Sequence, residues 1–187
     1  MVGIREVQRA ATRQQILQAG LELVRQSGFG KAHGTIFVHF ATRDALVIEI
    51  VKAIGSSLTD HLARMSSDSF GLGQFLDAHL AVLREAEKLH SALLQEMSSL
   101  PASARAYVLA MQSGVSARLG RALQVDIDKG LARPFDKVAL ANIWIALTNH
   151  YLLNRDLFAP GESVIARHGA ALKSQLLAIV EKEPIHD

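Results

Sequence analysis

Residues 34–46 read Gly-Thr-Ile-Phe-Val-His-Phe-Ala-Thr-Arg-Asp-Ala-Leu, and the fold turns on them. Ile36, Phe37 and Phe40 lie at helical spacing, so the first part of the stretch is expected to be a short helix with an apolar side. Thr42-Arg43-Asp44 has the make-up of a helix start. A threonine oxygen can accept from the free N–H groups of the first turn, and an acidic residue follows inside that turn. Downstream, Ala45, Leu46, Ile48, Ile50, Val51, Ile54, Leu58, Leu62 and Met65 continue as one long amphipathic helix. Upstream, a first helix from about Thr12 carries Ile16, Leu17, Gly20, Leu23 and Val24 on one face and stops at Gly28, a suitable left-handed cap. Gly20 in mid-helix costs about 1 kcal/mol relative to alanine, so close packing against a neighbour is expected there.

The rest of the chain repeats the helical period, with no two-residue alternation bounded by turn signals. Ser66–Gly73 is a break rich in serine and glycine. Helices are expected over Phe75–Leu89 and Ala92–Leu100, then from Pro101, an N1-type proline, to a stop marked by Gly130 and Pro134. Two more follow, about 136–158 and 162–181, separated by Ala159-Pro160-Gly161, with Asp136 as N-cap of the first. That first one is apolar almost all round (Val138, Ile143, Trp144, Ile145, Leu147, Tyr151, Leu152, Leu153), so it is expected to be covered on more than one side. The last carries Ile165, Leu172, Leu176, Ile179 and Val180, with Gly169, Ala170 and Ala171 allowing close backbone approach. The fold class is all-α, and the surplus apolar surface of the last two helices suggests a homodimer.

Composition excludes several function classes. Hydrophobic residues make up 49% of the 187, enough for a sizeable core. The chain has no cysteine, which removes disulfides, zinc–thiolate sites and thiol nucleophiles and suits a reducing, cytoplasmic setting. No apolar run follows the N-terminal basic residues, so no signal peptide is expected. The most apolar segment, Val138–Leu153, is shorter than the ~20 residues of a membrane span. Net charge is +2 and unevenly placed. Residues 1–43 hold six basic and two acidic groups, while residues 44–187 hold fourteen and sixteen. A basic end on a slightly acidic body fits an N-terminus that faces phosphate, and equally a solvated basic tail.

Thr12-Arg13, Ile16-Leu17, Gly28-Phe29, Gly34-Thr35, His39-Phe40 and Ala45-Leu46 stand in the order found in TetR/AcrR-family transcriptional regulators, and this segment resembles their DNA-binding region. The block from Leu131-Ala-Arg-Pro-Phe-Asp to Leu157-Phe-Ala-Pro also looks familiar from that family. The resemblance implies a DNA-binding region over 1–43 and a ligand-binding and dimerisation domain over 44–187. It implies a recognition helix over about 32–40, with His33, Gly34, Thr35, Phe37 and Val38 at the DNA, and Arg13 and Arg43 on flanking phosphates. Phe37 and Val38 depart from the family's usual tyrosine and lack the hydroxyl a phosphate contact would use. The resemblance further implies a double-stranded operator, a small-molecule inducer and a homodimer through the last two helices. One departure is large. Only Gly30-Lys31-Ala32-His33 joins Phe29 to Gly34, where the family carries the first helix of its helix-turn-helix. A short helix with its 3–4-residue turn needs about a dozen residues. Two functions therefore stand: a ligand-responsive DNA-binding regulator, or a derived dimer that binds a ligand or a protein and no longer reads DNA.

Other chemistry finds little support. Gly28-Phe29-Gly30-Lys31 lacks the spacing, the following Ser/Thr and the preceding strand of a phosphate loop. His61, His79, His90, His150 and His168 show no metal-ligand spacing, and no nucleophile elbow is present, so neither metal, cofactor nor enzyme activity is expected. Asn142, Asn149, His150 and Asn154 interrupt an apolar helix and need partners if buried. A core or dimer-interface network and an inducer pocket are the two explanations. Pocket candidates are Phe75, His79, Met97, Tyr107, Met111, Trp144, Asn149 and His150.

Overall fold

The computed structural model describes residues 14–22, 24, 26, 42–65 and 69–182. Helix α1 (14–22) is followed by α2 (Arg43–Met65), α3 (Leu72–Glu85), α4 (Glu87–Gln95), a 3₁₀ turn (Met97–Ser99), α5 (Ala102–Asp128), α6 (Lys137–Leu153), the single turn α7 (Arg155–Phe158) and α8 (Val164–Val180). The described residues contain no strand, only an isolated bridge between Ala132 and Glu181. None of their helices is long and apolar enough to cross a membrane. The all-α expectation holds.

The chain divides into two compact units, Met1–Ser56 with Lys88–Val108, and Ser57–Glu87 with Leu109–Asp187. In the first, the long apolar run after Arg43 does form a helix. Thr42 Oγ1 accepts from Ala45 N at 3.1 Å, the expected cap, and Leu46, Val47, Ile50, Val51 and Ile54 are buried. Gly20 of α1 is buried against α2: a Cβ there would stand 3.0 Å from Ile50 Cδ1 and 3.7 Å from Leu46 Cδ1. The missing side chain is what lets these two helices approach. The Gly28 stop lies outside the described residues.

In the second unit α8 packs on α3 and on α6. Leu172, Leu176 and Val180 line the buried side of α8, with Leu72, Leu76, Leu80 and Leu83 on α3 and Leu140, Trp144 and Leu152 on α6. Gly169 sits 3.5 Å, by its virtual Cβ, from Leu80 Cδ2, the close approach the sequence suggested. Ala170 and Ala171 face outward instead.

Helix ends follow local signals except where a distant side chain overrides them. Asp136 Oδ1 accepts from Ala139 N at 2.7 Å and caps α6 as expected. Pro101 stands one residue before α5, its carbonyl taking the Arg105 amide at 3.0 Å. The expected helix over Phe75–Leu89 begins earlier, at Leu72, and ends at Glu85. Its start is fixed by Asp126 of α5, whose Oδ2 accepts from Leu72 N at 2.8 Å. Gly71 is needed beside it, because a Cβ there would overlap Asp126 Oδ1. Its end falls at Ala86, between two stretches of ordinary helix formers, because Glu87 is drawn to α8 as described below. The helix expected over 136–158 is interrupted by a turn at Asn154.

Candidate functional site

Helix α6 takes part in two ring clusters at different levels along its length. Leu140, Trp144, Thr148 and Leu152 recur every four residues and form the stripe that faces the core. Thr148 breaks the apolar run without cost, since its hydroxyl donates to its own helix, at 2.9 Å from Trp144 O and 3.1 Å from Ile145 O. Trp144, the only tryptophan, is fully buried. Its Nε1 donates to His79 Nδ1 of α3 at 3.0 Å. His79 Nδ1 is therefore the ring's lone-pair nitrogen, and the direction of this bond fixes the tautomer. The imidazole lies nearly parallel to Phe75, at 10° and 6.1 Å between centroids, one helical turn earlier on α3. Phe75, His79 and Trp144 thus form one buried ring cluster with a directed hydrogen bond inside it.

A second cluster lies toward the C-terminal end of α6. Tyr151 stacks on Phe158 of α7 at 4.4 Å, and His150 meets both rings edge-on. His168 of α8 approaches Tyr151 at 5.2 Å, with its Nε2 3.1 Å from the Phe158 carbonyl. Asn154 ends the helix by donating to the His150 carbonyl at 2.8 Å. This cluster is half-buried, and His150 is exposed. Several large apolar side chains of α6 and α7 stay on the surface: Val138, Leu153 and Leu157 are 63%, 42% and 76% exposed, and Ile143 is exposed as well. From Val138 to Asn154 the helix has no Asp, Glu, Lys or Arg at all.

Of the eight nominated pocket residues, the structure brings Phe75, His79 and Trp144 together. His150 belongs to the second cluster. Asn149 is half-buried on α6 next to it in sequence, Met111 is half-buried in α5 of the same unit, and Met97 and Tyr107 are half-buried residues of the first unit. Asn142 is exposed, so it takes no part in a core network within the chain. Tyr151, Phe158 and His168 were not nominated. Their spacing along the chain gives no hint that α7 folds Phe158 back onto Tyr151. Among the nominated DNA contacts, Arg13, His33, Gly34, Thr35, Phe37 and Val38 lie outside the described residues, as does the joint Gly30–His33. Of Arg43, the structure describes only the backbone, at the first position of α2.

The sequence matches no protein-family model and no curated protein. Solved structures match over nearly the full length. A TetR-family regulator from Agrobacterium tumefaciens superposes with a TM-score of 0.72 at 18% identity, covering 93% of this chain and 100% of its own. The regulator PfmR from Thermus thermophilus gives 0.68 at 17% identity, with 87% and 97% covered. The chain has the TetR-family fold. The ketosteroid regulator KstR2 of Mycobacterium tuberculosis shares it too, with a TM-score of 0.64, 16% identity, and 92% and 96% of the two chains covered. At these identities the likeness concerns the path of the helices, and the side chains of any site are this chain's own. Both ring clusters of α6 lie in the second unit.

Proposed function

We propose that this chain is a ligand-responsive DNA-binding transcriptional regulator, a repressor that leaves its operator when a small molecule binds. The observation that carries the reading is the TetR-family fold over nearly the whole chain, with solved regulators covered almost end to end. Residues 1–43 would be the DNA-binding region and 44–187 the ligand-binding and dimerisation domain, in the cytoplasm. Arg13 and Arg43 would neutralise phosphates, and His33, Gly34, Thr35, Phe37 and Val38 would lie at the major groove. The subunits would pair through the helices of 136–158 and 162–181 into a four-helix bundle. The exposed Val138, Ile143, Leu153 and Leu157 support that pairing, as does the absence of charged residues from Val138 to Asn154. Small outward residues on α8, Ala166, Ala170, Ala171 and Ala178, would let a second backbone come close. Two recognition helices about 34–36 Å apart would then span one DNA turn. A ligand with greater affinity for another separation would release the duplex. The ring cluster of Phe75, His79 and Trp144 is the part of the nominated pocket whose members touch.

A single experiment tests the reading: gel-shift competition of the full chain against the duplex upstream of its own coding sequence. Retention of one duplex over excess random competitor is the expected outcome. Arg13→Ala and Arg43→Ala should each weaken retention for all sequences and lower the salt slope by about one. The four-residue joint between Phe29 and Gly34 favours a second reading, a dimer that keeps ligand binding and has lost specific DNA binding. Equal retention of every duplex, from a protein that still sediments as a dimer, would establish that reading instead.

A further inference from the structure

Glu87 is 5% exposed, yet its carboxylate meets no Lys, Arg or His among the described residues. All three of its donors lie at the beginning of α8. Val164 N donates to Oε1 at 3.0 Å, and Ile165 N and Ser163 Oγ donate to Oε2 at 3.3 and 2.5 Å. Ser163 Oγ at the same time accepts from Ala166 N at 3.1 Å, so its own hydrogen is the one left to point at Glu87. The first turn of α8 is therefore capped twice. Ser163 caps it locally, and Glu87 reaches it from 76 residues away.

The second cap comes from a particular place. Glu87 opens α4, and Ala86 alone separates it from the end of α3. It is also the residue at which the second unit's first segment ends. A carboxylate buried with no cation and held only by three donors has no half-way position. Drawing it away from α8 leaves buried charge and two buried amides uncompensated together. An arrangement of this kind has two states rather than a continuum.

We propose that Glu87 is a latch that ties the α3–α4 corner to the start of α8, so that a displacement of the corner is felt at the face α8 presents to a second subunit. The latch rests on the dimer reading above. Coupling of this kind is reciprocal: if the corner acts on the subunit face, pairing of subunits acts on the corner.

The test uses the full chain, with hydrogen–deuterium exchange and sedimentation measured on wild type, Glu87→Gln and, as a control for general loosening, Asp126→Asn. Glu87→Gln keeps the size of the side chain but replaces one acceptor oxygen by a donor. It should speed exchange over residues 163–167 about tenfold and raise the dimer dissociation constant roughly fivefold or more. Asp126→Asn should loosen residues 71–74 and leave the dissociation constant unchanged. Should Glu87→Gln not fold, wild type alone decides. Dilution from dimer to monomer should speed exchange at the corner, residues 85–89, together with residues 163–167. A wild type that sediments as a monomer at all concentrations would sink the dimer reading itself. A dimeric wild type whose corner exchanges at the same rate in both states would sink the latch and leave the dimer. So would a Glu87→Gln dimer as tight as wild type.

Discussion

The two ring clusters of α6 use similar residues for opposite ends. Phe75, His79 and Trp144 are enclosed within one chain, and the polar contact among them is directed, indole N–H to imidazole lone pair. His150, Tyr151, Phe158 and His168 are held by stacking and by backbone carbonyls, and the cluster stays half-buried with His150 exposed. The first cluster is complete as it stands. The second is half-open, with Leu153 and Leu157 exposed near it in sequence and the Arg155–Asp156 ion pair in the same turn as Phe158. On the proposed reading the difference separates two physical jobs on one helix: holding α6 to α3, and offering α6 to a second subunit.

Substitutions should break that contrast in a graded way. Trp144→Ala should cost the most, about 3–5 kcal/mol of folding stability, because it opens a cavity in a closed core; chemical denaturation measures it. His79→Leu should cost less, about 1–3 kcal/mol, since it keeps most of the volume but leaves the indole N–H buried without an acceptor. If the loss were as small as for a surface site, the hydrogen bond would not be what seats Trp144. Tyr151→Ala removes one partner of the half-buried stack and should cost the isolated subunit about 0.5–1.5 kcal/mol beyond the area it uncovers. Leu157→Ser should leave subunit folding within about 0.5 kcal/mol of wild type while weakening association measured by sedimentation. A Leu157→Ser protein that associates as tightly as wild type would place the partner surface elsewhere.

Much of this contrast could be read in the sequence where the cause was local. Asp136 announced the start of α6, Thr42 the start of α2, and Gly20 a close approach to some neighbour, which the structure shows to be Ile50. The all-round apolar character of α6 was legible too, although not which side the chain itself would cover. What sequence could not supply were the pairings between residues far apart. Trp144 and His79 are 65 positions apart, and each alone looks like ordinary core. The break at Ala86 has no glycine or proline to mark it. It exists because Glu87 bonds to a helix that begins 77 residues later. Arg133 is a similar case: its backbone amide reaches Val180 O and its side chain Ile179 O, fastening the loop before α6 to the end of α8. For the residues expected at DNA, sequence is the sole source, since all but Arg43 lie outside the described part of the chain.

The solitary indole has an optical consequence. With one tryptophan in the chain, buried and bonded to a single imidazole, the protein's indole emission comes from one chromophore in one environment. Its wavelength and lifetime therefore track the contact between α3 and α6 without any attached dye. A compound entering beside Phe75 would change that light directly, whereas association at the far side of the helix would leave it dark to the event.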